Sequence, residues 1–432
     1  MRTRGRRVPL PPRDRRTADR CRPADGLLAQ AMNGDIQVGG HRLPPPPKRN
    51  TAAPMYEALQ ERLLARLTEH YRPLSREVTI DLTVDDWLPA SGLFTLGPTL
   101  TFTPRRTPSL GSASDARIAL SADLLTAMLD DPSGFDARNA RAQALGGIRI
   151  SGSPAVAGYW LQLLKRPSVR TRRTLARAIV RAPAALARIA EVDAIQCSQD
   201  DPAHARMVLT RLGNALRHCE PIVLRGLIRW PEIGWTLEHW RRREGATRLR
   251  RDPASGAWQS VGAFLADVGG AQGSTAPYSD GCGIPAHWES RFVLPLPIPH
   301  AFGPGQLWAG RARDSAPVTR LHCDAASSFL AQLCGRKRIR VYAPAQQDAL
   351  YALDAFNMYR PCRVEGDTPD LARFPRFAQA RGADVTIGPG DLLVLPAGWF
   401  HAVWALDDVL SISRSAYDSA VVRACRMALR KR

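Results

Sequence analysis

Between Pro221 and Leu406 the chain is written largely in short β-type runs: "PIVLRGLIRWPEIGW", "RFVLPLPIP", "GQLWAG", "KRIRVYAP", "ADVTIG", "DLLVLP" and "HAVWAL". Gly and Pro punctuate them, and β-branched and aromatic residues fill them. Many short strands with few helices argue for a barrel or a sandwich, a closed arrangement that leaves few exposed strand edges. This pattern sets in near Cys197, and no internal repeat is visible on either side of it.

Upstream the character differs, and 432 residues exceed what one ordinary core accommodates, so two folded units with connecting segments are expected. Residues 1–54, with "RTRGRRVPLPPRDRR" and "LPPPPKR", are rich in Arg and Pro without hydrophobic periodicity and read as a disordered tail. From Met55, "MYEALQERLLARLTEHY" sets Leu59, Leu63, Leu64 and Leu67 on one helical stripe. Strands "EVTIDLTV" and "TLTFTP" follow, then "ARIALSADLLTAMLDD", where Ser121 reads as an N-cap with Asp123 in the first turn. A later strand and turn, "GGIRISGSP", leads into an apolar helix. This order makes residues 55–166 a small α+β unit, 167–196 a basic helical linker, and 197–432 the mainly-β unit.

The formal charge of +20 is carried almost wholly by arginine, since the only lysines are Lys48, Lys165, Lys337 and Lys431. The run Lys165–Arg188 contains no acidic residue and winds into a helix with an apolar stripe and a basic face. Such a face is compatible with solvent or with a polyanion, though no interleaved aromatic residue supports base stacking. The eight cysteines are scattered with no CxxC pair, as expected of reduced thiols in a cytoplasmic protein. No apolar run reaches eighteen residues, and the Arg-rich start lacks the apolar segment of a secretory signal, so neither insertion nor export is expected.

Chemistry enters with an H-x-[DE] pattern. A histidine and a carboxylate two positions apart on a strand project to one side, and a second histidine from another strand completes a set that leaves positions open on iron(II). The pattern occurs three times: His218/Glu220, His287/Glu289 and His322/Asp324. The first ends a helix and the second sits in a Gly/Pro-rich loop, whereas "VTRLHCDAASSFLAQLCGRKRIRVYAP" carries the third into a long strand pair. Within "GRKRIRVY", alternation places Lys337, Ile339 and Val341 on one face and Arg336, Arg338 and Arg340 on the other. Lys337 is thereby aimed at an apolar interior, where an ammonium requires an anion. The second histidine is His401, just after a Pro/Gly turn in "GPGDLLVLPAGWFHAVWAL".

Residues 315–415 resemble the cupin-like JmjC oxygenases, close in pattern to the asparaginyl hydroxylases of hypoxia-inducible factor. The stretches that carry the resemblance are "VTRLHCDAASSFLAQLCGRKRIRVYAP", "DTPDLARFPRFAQA" and "GPGDLLVLPAGWFHAVWAL". It implies a double-stranded β-helix with His322, Asp324 and His401 as Fe(II) ligands, and with Lys337, Thr319 and Ser328 contacting the cosubstrate 2-oxoglutarate. The implied activity is dioxygenase hydroxylation of a C–H bond, with a protein or peptide side chain as acceptor. Cys323, Ser328 and the "SISRSAY" segment around Ser413 depart from the residues common in that family. Residues 55–166 resemble the sterol-carrier-protein type of lipid-binding domain through "IALSADLLTAML" and "ALGGIRISGSPAVAGYWLQLL", which implies a tunnel for a lipid or hydrophobic ligand. Leu124, Leu125, Met128, Trp160 and Leu163 serve a plain core equally well. Two other functions fit the sequence: a non-catalytic lipid-binding scaffold with a degenerate barrel, and a hydroxylase of a lipid-linked or small hydrophobic substrate. A cupin using another metal and no keto acid leaves Lys337 and Thr319 unexplained.

Overall fold

A five-stranded sheet with helices against it forms the first part of the described chain. The computed structural model describes residues 49–431 apart from 86–90, 105–113, 136–141, 143, 195–200, 252–256, 271–277, 279–280, 297–300, 312–315 and 365–368. Most of the expected Arg/Pro tail therefore lies outside the described residues. Helix α1 (Arg49–Glu69) is followed by β1 (Val78–Asp85), β2 (Gly92–Leu96), β3 (Leu100–Pro104) and β4 (Ala116–Ser121). Then come α2 (Ala122–Asp130), β5 (Arg149–Gly152) and α3 (Pro154–Leu163). The strand order is β3-β2-β1-β4-β5, with β1 and β4 parallel and the other pairs antiparallel. Ser121 caps α2 by accepting from the Leu124 amide, so the capping residue read from the sequence is the one used. Leu124, Leu125, Met128, Trp160 and Leu163 lie in one packed cluster with Leu63, Phe94 and Ile118. In this structure they are core.

Helix α4 (Val169–Arg181) follows, buries Thr171, Leu175 and Ala178, and leaves its arginines outside. Next are β6 (Ala190–Asp193), α5 (Pro202–His218), β7 (Ile222–Arg225), α6 (Leu237–Glu244), β8 (Arg248–Arg251), β9 (Trp258–Ser260), α7 (Val261–Gly270), β10 (Cys282–Gly283) and α8 (Trp288–Arg291). The β-rich remainder runs β11 (Phe302–Gly310), β12 (Thr319–Asp324), β13 (Ser327–Cys334), β14 (Lys337–Tyr342), β15 (Tyr359–Pro361), β16 (Gly382–Ile387), β17 (Leu392–Leu395), β18 (Phe400–Ala405) and β19 (Val409–Ala416), closed by α9 (Asp418–Lys431).

Two sheets face each other here, of order β10-β11-β19-β13-β17-β7-β6 and β15-β12-β18-β14-β16. Between them lies an apolar interior formed by Ile339, Val341, Val403 and Ala405 of the smaller sheet and Val223, Leu393, Leu395 and Val409 of the larger. The outer face of the smaller sheet is also covered, by Leu175 of α4 and by Leu350, Phe356 and Phe374 packing on Leu321, Cys323 and Phe400. A sheet buried on both faces explains why β18, "FHAVWA", reads as a continuous apolar run with one histidine. Bonds from Gln162 Nε2 of α3 to the Ala355 carbonyl (2.9 Å) and from Asn357 Nδ2 to the Phe135 carbonyl (3.1 Å), in the segment after α2, tie the first sheet's surroundings to the loop over this face. Among the described residues no helix is long and apolar enough to cross a membrane.

The turn between β13 and β14 sets the register that aims Lys337. Gly335 sits at φ +64°, and a Cβ there would stand 2.1 Å from the Asp408 carbonyl oxygen. Gly335→Ala combines a left-handed residue with a backbone clash, and a loss of at least about 1–2 kcal/mol is expected in urea unfolding. Unchanged stability would show that this turn relaxes freely.

Candidate metal and cosubstrate site

The antiparallel pairing of β12 with β18 sets His322 directly opposite His401, with ring centroids 4.2 Å apart. Asp324 is two residues along β12 and so shares that face. The ligand atoms of His322, Asp324 and His401 all lie within 4.8 Å of one another. His322 and His401 are buried, while the Asp324 side chain is 38% exposed, so the group opens at the Asp324 side.

Each histidine is oriented by its own strand. His322 Nδ1 donates to the Arg320 carbonyl (2.7 Å) and His401 Nδ1 to the Trp399 carbonyl (3.1 Å), which leaves both Nε2 atoms as lone-pair donors. Burial, and next the neighbouring His322, push the pKa of His401 down to about 3. A neutral imidazole is the form a metal needs. Two imidazole nitrogens and one carboxylate on one side fit Fe(II) in the facial geometry that leaves positions for other ligands. Asp324 is held in place by its backbone, whose carbonyl accepts from the Gly398 amide (2.8 Å) in the turn before β18.

Lys337 pairs with Ala405 of β18 and lies on the face of Ile339, Val341, Val403 and His401. It is 1% exposed and makes no ion pair among the described residues. Burial alone pushes its pKa from the ordinary 10.5 down to about 7. The ammonium sits 5.6 Å from the centre of the Tyr278 ring, an attraction too weak to replace an anion. Thr319 reaches the same face by a device the sequence does not announce. Its partner is Val403 and that of His322 is His401, so three steps along β12 match two along β18. This β-bulge puts Thr319 and His322 on one side although they are three residues apart. A buried, counter-ion-free ammonium with a hydroxyl and a metal triad on one face fits the dicarboxylate 2-oxoglutarate.

Ser328 lies on the facing sheet, opposite Leu395 and on the same side of β13 as Leu330, toward the interior. Its neighbour Ser327 is fully buried and bridges the Ala397 amide (3.0 Å) to the Asp418 carboxylate. Ser413 accepts from Trp308 Nε1 (2.7 Å). The two rejected H-x-[DE] pairs are elsewhere: His218 ends α5, and the His287 side chain is 61% exposed while Glu289 binds Arg414 (2.7 Å). Two tyrosines were not singled out from the sequence. Tyr359 stacks on His322 with ring centroids 4.7 Å apart, and Tyr278 underlies Lys337. Neither carries a motif; only strand pairing, Asp324 with Tyr359, brings the first into place.

Cys323, between the two β12 ligands, points the other way. Its thiol is fully buried on the outer face, and burial raises its pKa far above the usual range, as it does that of nearby Cys362. Cys219, Cys323, Cys334, Cys362 and Cys425 are free thiols.

The family description "Cupin-like domain" matches residues 285–417. The C-terminal region is a cupin-like domain. "Lysine-specific demethylase 8" of Xenopus tropicalis is 40% identical over 106 residues, 24% of this chain and 23% of that protein. "tRNA wybutosine-synthesizing protein 5" of Danio rerio is 37% identical over 111 residues, 25% of this chain and 33% of the relative. "Lysine-specific demethylase JMJ30" of Arabidopsis thaliana is 34% identical over 106 residues, 24% of each chain. The chain thus spans only about a quarter to a third of the length of these curated relatives.

Two expectations follow for the cupin-like domain. Asp324→Ala and His401→Ala each weaken Fe(II) or Mn(II) binding, measured by anaerobic titration calorimetry. The loss should exceed the roughly 10–100-fold that removing a mere supporting partner costs. Wild-type affinity in either variant would remove that residue from the metal set. For Lys337, the folded pKa lies below the unfolded one, so its charge cost is fully present below about pH 7 and fades toward 10.5. The cosubstrate-free protein should gain stability as pH rises through this window, and Lys337→Met should abolish that gain while raising stability at pH 6. Urea unfolding across pH reads both. A variant with the wild-type slope would show that Lys337 is already neutralised.

Proposed function

We propose that the chain is an Fe(II)- and 2-oxoglutarate-dependent dioxygenase that hydroxylates a C–H bond of a polypeptide side chain. The observation that carries this reading is the shared face of His322, Asp324, His401, Thr319 and Lys337, which joins a three-ligand metal set to a buried cation with no anion of its own among the described residues.

When bound, the metal and the keto acid supply the oxidation: dioxygen and 2-oxoglutarate give succinate and carbon dioxide, and the second oxygen atom enters the substrate as a hydroxyl. The protein's residues do the rest. His322 and His401 present neutral Nε2 atoms because their Nδ1–H groups are engaged by backbone carbonyls. Asp324 supplies the one negative charge among the ligands. With 2-oxoglutarate bound, Lys337 would pair with its distal carboxylate and the Thr319 hydroxyl would donate to the same group, so these two residues would hold and orient the diacid. The walls of Val341, Val403 and Leu395 exclude water and strengthen that ion pair.

The relatives' names offer a protein and a tRNA as acceptors. Demethylation of methyl-lysine ranks below side-chain hydroxylation, because basic peptides are repelled by the exposed arginines of α4 beside the site. The residues a lipid tunnel would draw on are closed into the core of the first sheet, so that part of the chain contributes here as a wall beside the opening.

The test is succinate formation by the purified full chain with Fe(II), 2-oxoglutarate and oxygen, alone and with peptide pools. Iron-dependent succinate is expected and should fall by at least about a hundredfold in His322→Ala. Iron-independent turnover, or equal turnover in the variant, would overturn the assignment, and its complete absence from a folded, iron-loaded protein would favour a non-catalytic scaffold.

A further inference from the structure

Beside the metal site a cleft of about 470 Å³ is lined by Asp131, Ser133, Lys165, Ser168, Asn357 and Tyr359, among others. Tyr359 is the wall it shares with the metal site, since that ring lies 4.7 Å from the His322 ring. Asp131 and Lys165 give the cleft one charge of each sign. The net charge of this region lies next door, on α4.

Helix α4 leaves the cleft at its N-cap, Ser168, and runs along the metal end of the barrel. Thr171 Oγ1 donates to Met358 Sδ (3.6 Å). A Cβ on Gly398 would lie 2.8 Å from Ala178 and 3.5 Å from Leu175, so the helix is seated on the turn that holds Asp324 from behind. Its outward stripe is Val169, Arg172, Arg173, Ala176, Arg177 and Val180, all exposed, with Val169 at 54% and Val180 at 84%. Arg172, Arg173 and Arg177 form no ion pair among the described residues, whereas Arg170 is stacked 3.9 Å over Tyr417 and Arg181 is bound to the Leu216 carbonyl (3.1 Å). Three unpaired guanidinium groups flanked by two exposed valines therefore begin one residue beyond the cleft.

We propose that the acceptor is an acidic, partly apolar polypeptide segment that lies along this stripe of α4, beside the metal end of the barrel. This inference rests on the dioxygenase reading for the chemistry and names the substrate class of that same site. Carboxylates pair with planar guanidinium forks, and clusters of arginine are a recurrent means of reading acidic motifs. The exposed valines are apolar contacts that a peptide's side chains use and a phosphate backbone does not. The stripe itself carries no aromatic residue on which a base could stack, which single-stranded nucleic acid relies on.

The experiment is fluorescence anisotropy with the full-length, metal-free protein, so that binding is read whether or not turnover occurs. The probes are a labelled synthetic peptide rich in glutamate and leucine, its glutamine counterpart, and an RNA oligonucleotide of equal charge. The glutamate peptide should bind more tightly than the glutamine one, with an affinity that falls as salt rises. In the triple variant Arg172→Glu/Arg173→Glu/Arg177→Glu it should weaken about tenfold or more. A control double variant at a distant basic helix, Arg242→Glu/Arg243→Glu, should bind like the wild type, and circular dichroism checks that all variants fold. Equal binding of the two peptides, an unaffected triple variant, or RNA binding tighter than the acidic peptide and lost in the triple variant would each overturn the proposal. Absence of uncoupled succinate formation from the wild type would count against the dioxygenase reading and leave the anisotropy result standing.

Discussion

An ammonium group enclosed by the apolar interior of a β-sandwich is the constraint on which the rest of this site depends. Lys337 cannot be tolerated there for packing alone, since burial takes its pKa to about 7 and no described carboxylate answers it. The sheet accommodates that cost by placing the lysine on the strand that flanks β18, so that an anion arriving at the triad finds its counter-charge already fixed. The ligands and the lysine come from three adjacent strands, β12, β18 and β14, which makes their spacing a property of hydrogen-bond register instead of loop conformation. Sites held by a sheet in this way are stiff, and the exposed Asp324 edge is where entry is possible.

Much of this arrangement was legible because a strand's side-chain period is two. Alternation alone separated Lys337 from its flanking arginines and placed His322 with Asp324, and the structure puts them there. Thr319 is the instructive exception. Strict alternation would set it on the opposite face from His322, and only the bulge between them, which no local signal marks, turns it inward. Tyr359 and Tyr278 were invisible for a related reason: each owes its position to a partner distant in sequence.

The first sheet shows the limit from another side. Capping at Ser121 and the strand–helix order were readable because they are local. The same leucines that suggested a lipid tunnel are the leucines that fill a core, and sequence contains nothing to tell enclosed space from packed side chains. Nor could it show that this sheet's surroundings are bonded to the loop over the cupin-like domain, through Gln162 and Asn357, and so frame the opening beside the metal site.

Cys323 stands between two metal ligands in sequence yet behind them in space. The pleat of β12 works as a bulkhead: one side carries the metal-ligand set, and the other keeps the protonated Cys323 thiol among Phe356, Phe400 and Phe374, with the partly buried Cys362 packed beside it. A thiol so close along the chain would compete as a soft metal ligand if it shared the ligands' face. By sitting one residue out of phase it is kept from the metal-ligand set it adjoins, and the strand's geometry serves as insulation as well as scaffold.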